Sequence, residues 1–309
     1  LMVQFSSSNR SQKLTRANSV RNSLTSNGRH NVEALPLDIL TTAAILFVVS
    51  TGLMIILGVM KLINFAHGAF LTTGGYIAYL VGAAGLNPWL AVPAAAILGL
   101  LAGLVIERTI IRPLYHRPLD AILATWGLGI VIGQVFALTF GRGVQFAPSP
   151  ILGTIDVFGS EYSGYRLAML AIAIVLAVAL SALLSFTRFG LNARAVIANE
   201  PLARGLGIDS ANVRSITFGL GAGLACAAGA LITPLLSVDP NMGLPWLVNS
   251  FMLVMISGVS FPSLLVASLL LGGSQVLVST YISPILGGMT IVVLAALILR
   301  LKPKGFSRA

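Results

Sequence analysis

The feature that most limits this chain is the recurrence, from Ile39 onward, of mainly apolar runs about 20 residues long separated by short polar interruptions. A run of that length crosses the hydrocarbon core of a bilayer as a helix. Backbone groups in lipid must be satisfied within the segment, so closed helices are required, and the alternating pattern of an outer-membrane barrel is absent. The expected fold is all-α, a polytopic transmembrane helix bundle of about eight spans. The spans are read at 39–60, 62–84, 89–107, 121–140, 167–186, 212–236, 262–281 and 284–301. A shorter apolar piece, 246–258, cannot cross alone. It ends in Ser257-Gly258-Val259-Ser260-Phe261-Pro262 and reads as a re-entrant half-helix packed inside protein. Residues 35–309 form one transmembrane domain, and residues 1–34, rich in Ser, Asn and Arg, read as a disordered basic tail whose composition also resembles a transit peptide.

The formal net charge of +10 does not point to nucleic acid, because Arg and Lys cluster just beyond hydrophobic segments, the positive-inside pattern. Arg108, Arg112 and Arg117 mark one cytoplasmic loop, Arg188, Arg194, Arg204 and Arg214 a second, and Lys302, Lys304 and Arg308 a cytoplasmic C-terminus. The 141–166 loop and the turn at Asp239-Pro240-Asn241 fall outside. Two full spans before residue 89 would put the basic tail outside as well, against the charge rule.

Several chemistries have no residues to support them. The nine carboxylates all fall at segment ends or in loops, which weakens a proton-driven secondary transporter. No G-x-x-x-x-G-K-[ST] phosphate loop occurs, so an ATP-driven process would need a partner. His30, His67 and His116 lack metal-ligand spacing, Cys226 stands alone, and no hydrolase motif appears; no catalytic residue, metal or cofactor is expected.

Two places carry information. Asn64 and His67 interrupt apolar runs, and such a break at membrane depth needs either a cavity or its own side chains to satisfy it; an interfacial turn beside Lys61 is the alternative. Trp126, after Thr125 within an apolar run, is either a substrate contact or packing. Between Arg188 and Arg214, Asn199 can cap a short helix, Glu200 and Pro201 suit its first turn, Leu202 and Leu206 share a face, and Gly207 can end it. Asp209 can cap the next span. A helix lying across the end of a bundle suits insertion into a partner's groove or a position at the lipid headgroups.

The order of Ile63-Asn64-Phe65-Ala66-His67-Gly68, Leu123-Ala124-Thr125-Trp126-Gly127, Thr187-Arg188-Phe189-Gly190-Leu191 with Arg194-Ala195, Ala203-x-x-x-Gly207-Ile208, and Lys302-Pro303-Lys304-Gly305-Phe306 resembles the membrane permeases of branched-chain amino acid ABC importers. Ala124-Thr125-Trp126-Gly127, Pro240-Asn241-Met242-Gly243 and Val248-Asn249-Ser250-Phe251-Met252 resemble the urea and short-amide branch. Ser257 to Pro262 departs from the family's G-G-x-G turn. The resemblance implies a bacterial inner-membrane channel subunit for branched-chain amino acids or urea and short amides, embedded in lipid. It further implies a second permease, two cytoplasmic ATPase subunits and a periplasmic binding protein as partners. Arg194, Glu200, Leu202, Ala203, Leu206, Gly207 and Ile208 would couple to the ATPases, and Asn64, His67, Thr125, Trp126 and Asn249 would face the path. An ion-coupled secondary carrier working without an ATPase is the alternative.

Overall fold

The computed structural model describes residues 34–157, 160–303 and 305–306. The tail expected over 1–34 thus lies outside the described residues except for Ala34, which opens the first helix. In chain order the helices are α1 (Ala34–Met60), α2 (His67–Ala83), α3 (Ala91–Ile106), α4 (Pro118–Phe140), α5 (Gly164–Phe186), α6 (Arg188–Ala198), α7 (Glu200–Gly205), α8 (Ser210–Leu236), α9 (Gly243–Ser257), α10 (Phe261–Tyr281) and α11 (Pro284–Leu301). A short antiparallel hairpin, β1 (Thr154–Val157) and β2 (Ser160–Ser163), pairs Thr154 with Ser163 and Val157 with Ser160. The sequence reading contained no strand there.

Among the described residues, seven helices are long and apolar enough to cross a bilayer. The span expected at 62–84 shortens to α2, because residues 61–66 are not helical. At 17 and 15 residues, α2 and α9 reach about 26 and 22 Å at 1.5 Å per residue, less than the roughly 30 Å hydrocarbon core.

α1 and α8 form the buried centre and run antiparallel. Gly52 of α1 lies against Gly221 of α8, and Gly219 and Gly223 of α8 receive Leu104 and Leu100 of α3. Removing side chains lets backbones close to contact distance, where dispersion is the main packing force in lipid. α4, α5 and α11 turn most of their apolar surface outward.

Depth follows from contacts. The start of α1 stands on the hairpin face, where Asp38 Oδ1 accepts from Arg166 Nη1 at 2.8 Å and from the Tyr162 hydroxyl at 3.0 Å. The end of α1 stands on the opposite, basic face, where Val59 packs with Ala193, Val196, Ala203 and Val213. The chain therefore passes from the hairpin face to the basic face and back before residue 89, and Ala34 is on the hairpin face. The Asp38–Arg166 pair is largely solvated, so Arg166→Ala is expected to cost no more than about 1 kcal/mol. A thermal melt in detergent should shift by no more than about 3 °C.

The two short helices share a design. α1 and α8 are each 27 residues long, and each is followed by a break, 61–66 and 237–242, that turns the chain back toward mid-depth. Each break opens on a non-glycine residue with positive φ, Lys61 at 51° and Ser237 at 129°; such conformations cost on the order of 1–3 kcal/mol. Each then closes an Asx turn, Asn64 Oδ1 accepting from Ala66 N at 3.1 Å and Asp239 Oδ1 from Asn241 N at 2.8 Å. α2 begins beside the middle of α1, His67 Nε2 lying 2.9 Å from Val49 O, and ends on the hairpin face against Pro148. α9 begins against the first turn of α2 and ends on the basic face, where Phe306 N donates to Ile256 O at 2.7 Å. The halves are thus inverted relative to each other, with two helix starts meeting in the middle of the bundle.

This corrects one expectation. Asp239-Pro240-Asn241 is not a simple outside loop: Val238 pairs with Gln145 at the hairpin face, and Pro240 and Asn241 then line a half-open cavity between α2, α4 and α9. The turn from Ser257 to Pro262 is made without the glycine-rich G-G-x-G sequence that the resemblance leads one to expect. Gly258, at φ +64°, ends α9, and Pro262 sits in the first turn of α10, where its missing N–H has no helical acceptor to lose.

Candidate functional site

On the basic face, α6 and α7 lie across the ends of α1 and α8. Thr187 caps α6 by accepting from Gly190 N at 3.2 Å. Asn199 caps α7 by accepting from Leu202 N at 3.1 Å, and Asp209 caps α8 by accepting from Asn212 N at 3.1 Å. These local caps fix the path of the chain because each satisfies a helix donor that has no partner of its own. Gly207, at φ +86°, makes the reversal between α7 and α8 that a side chain would strain.

α7 is held from two sides. Ala203 is buried among Val59, Val196 and Val213, and Ile208 packs on the same cluster. Glu200 forms an ion pair with Arg204 at 2.8 Å and another with Arg214. Leu202 and Leu206 point the other way: they are 60% and 74% exposed on a face that also carries charge. An apolar pair held outward on an anchored helix suits a partner's groove or the lipid headgroups. Arg194 stands apart, donating to the Leu184 carbonyl at the end of α5.

At mid-depth, a cavity of about 560 Å³ lies between the starts of α2 and α9 and the flank of α4. Phe65 and Trp126 form one wall, with ring centroids 6.5 Å apart, and Leu244 and Val248 another. Gln134 and Asn241 supply amides, and among the described lining residues none is charged. Small residues make the space: a Cβ at Gly129 or Gly133 would contact the backbone of Phe65 or Pro240.

Of the residues expected along a path, Trp126 lines this cavity. Thr125 and Asn64 sit behind it. Thr125 Oγ1 accepts from Phe65 N at 3.2 Å and donates to Ile122 O at 2.8 Å, so it pins the break to α4. Asn64 is buried, its amide nitrogen without a partner among the described residues, beside a second small cavity of about 120 Å³. His67 is buried against α1 and holds the break in place. Asn249 is half-buried and outside the cavity lining, which takes Val248 from α9 instead. Phe65 belongs to the 64–68 break expected to face the path and does line the cavity, whereas sequence reasoning missed Gly129, Gly133 and Gln134. The G-x-x-x-G spacing of Gly129 and Gly133, with Gln134 next to it in an otherwise apolar helix, was the available signal.

A sequence profile for the family described as branched-chain amino acid transport system / permease component matches residues 35–301. The high-affinity branched-chain amino acid transport system permease protein LivH of Salmonella typhimurium is 27% identical over 274 residues, 83% of this chain and 89% of that protein. The corresponding protein BraD of Pseudomonas aeruginosa is 29% identical over 278 residues, 82% and 90% of the two chains. Among solved structures, PsaBC from Streptococcus pneumoniae in complex with Fab is similar in fold. It has a TM-score of 0.50 over 89% of this chain and 96% of that chain, at 12% identity.

Proposed function

The chain belongs to the branched-chain amino acid transport permease family, and we propose that it forms, with a second permease, an ATP-driven passage for branched-chain aliphatic amino acids. It is a multi-pass inner-membrane permease subunit of an ABC importer. The basic face is then cytoplasmic. The observation that carries the coupling is α7, whose Leu202 and Leu206 stand outward while Ala203 and Glu200 fasten the helix to the bundle. One of the two ATPase subunits docks on this element and the other on the second permease, and a soluble binding protein delivers substrate to the hairpin face.

Transport proceeds by alternating access: closure of the ATPases on nucleotide moves α7 and switches which side of the central cavity is open. The cavity's apolar and aromatic walls suit an aliphatic side chain, and its two amides can exchange hydrogen bonds with a polar head without holding it. Specificity then resides chiefly in the binding protein.

Reconstitution in liposomes tests this reading. The chain with its second permease, ATPases and binding protein should take up labelled leucine only with ATP inside the ATPase-facing compartment. Isoleucine and valine should compete, and urea and acetamide should not. Uptake by the chain alone on an ion gradient would replace the reading with a secondary carrier. Competition by urea at the level of leucine would move the substrate to the short amides.

A further inference from the structure

The ion pairs that anchor α7 continue on the basic face into a connected set of polar groups that reaches the α3–α4 connection. The end of α3 passes into a π-helical turn, Glu107–Ile111, then a tight turn, Arg112–Leu114, before α4. Glu107 is fully buried, and its Oε1 accepts from the Tyr115 hydroxyl. Its place at a segment end was legible, but its burial was not. Burial, and then the bond to Glu107, raise the Tyr115 phenol above its ordinary range, so it remains a donor at any physiological pH.

Over the Tyr115 ring, 4.6 Å from its centroid, lies the guanidinium of Arg214. Arg214 belongs to the second turn of α8, is largely buried, and gives Nη2 to Glu200 at the start of α7. Glu200 in turn takes Arg204, whose Nε lies 2.6 Å from Ser210 Oγ at the start of α8. One planar cation therefore touches α7 with its edge and the α3–α4 connection with its face. Lysine could make the first contact but not both in this geometry.

We propose that Arg214 is a positioning residue that carries displacement of α7 to α4, and so to the Trp126 and Gly129 wall of the cavity. This rests on the reading of α7 as the ATPase contact. α4 begins three residues after Tyr115, and Trp126 lies two turns further on. The apolar cluster around Ala203 ties α7 to α1, α6 and α8. The Glu200–Arg214–Tyr115 chain supplies the arm that reaches α4.

Two measurements test it. Hydrogen exchange of the purified chain reads the linkage without partners. Tyr115 reaches α7 through Arg214, so Tyr115→Leu should raise exchange at residues 200–206 at least about threefold, whereas Tyr115→Phe, which keeps the ring under the guanidinium, should not. Deprotection confined to residues 112–118 in Tyr115→Leu overturns the linkage.

In reconstituted transporter, Tyr115→Leu and Arg214→Lys should retain the ATPases at wild-type level but raise ATP hydrolysed per leucine imported about tenfold. Parallel loss of hydrolysis and import at a constant ratio, or an unchanged ratio, overturns the role in transmission and leaves a structural contact. If the wild type itself lacks ATP-driven import, the docking reading fails, and the exchange result still decides the linkage.

Discussion

Leu202→Asp is expected to lower ATP-dependent leucine uptake at least about 100-fold while leaving the chain inserted and folded. Leu202 is 60% exposed on α7, so in the free permease the substitution exchanges a solvated apolar side chain for a solvated carboxylate at little cost. In the docked complex the balance reverses. Removing a buried leucine forfeits about 1.5–3 kcal/mol, and an uncompensated charge at a desolvated contact costs about 3 kcal/mol more. Each 1.4 kcal/mol is a factor of ten in association. Uptake in liposomes and the amount of ATPase copurifying with the variant both report the loss, and Leu202→Met should restore both. Full uptake with Leu202→Asp would remove α7 as the docking element.

Gly243→Val is expected to abolish most of the folded protein. A Cβ at Gly243 would overlap the carbonyl of Gly68, and Gly243 N donates to Thr72 Oγ1 at 3.1 Å, so α2 and α9 touch through backbone with no side chain able to yield. Overpacking a tight core costs about 1–3 kcal/mol even where side chains give way, and a backbone clash lies above that range. The recovered monodisperse fraction on size exclusion should fall several-fold, with Gly243→Ala intermediate. Gly288, on the outward surface of α11, meets nothing within 4 Å, and Gly288→Ala should be neutral or stabilising by up to about 1 kcal/mol. A well-folded Gly243→Val would mean that the two short helices are not locked together.

What was legible in the sequence was local. The caps at Asn199 and Asp209 and the reversal at Gly207 follow from side chains and backbone within four residues of each other. The apolar runs located the spans for the same reason. The cavity was not legible, because it is assembled from residues near 65, 130 and 245 that only the fold brings together. Thr125 and Trp126 are adjacent in sequence yet differ in role, one bonded to Phe65 N and the other exposed to the cavity; that difference is set by the rotation of α4. Asn249 missed the lining for the same reason: α9 starts at Gly243, which turns Val248 rather than Asn249 toward the space. Asp239 and Asn241 looked like solvent-facing polar residues, but their own Asx turn satisfies Asp239 and lets the segment go inward.

The contact between α2 and α9 is short as well as close. The helices overlap over one turn, Gly68 to Thr72 beside Gly243 to Leu247, or about 6 Å of a roughly 30 Å barrier. A contact that short is broken by a shift of only a few ångströms, and its two helices are anchored at opposite faces of the bundle, α2 against Pro148 and α9 against Phe306. Small, opposite tilts of the two helices therefore act on the same few backbone atoms, so a movement that starts at either face is felt at this one contact.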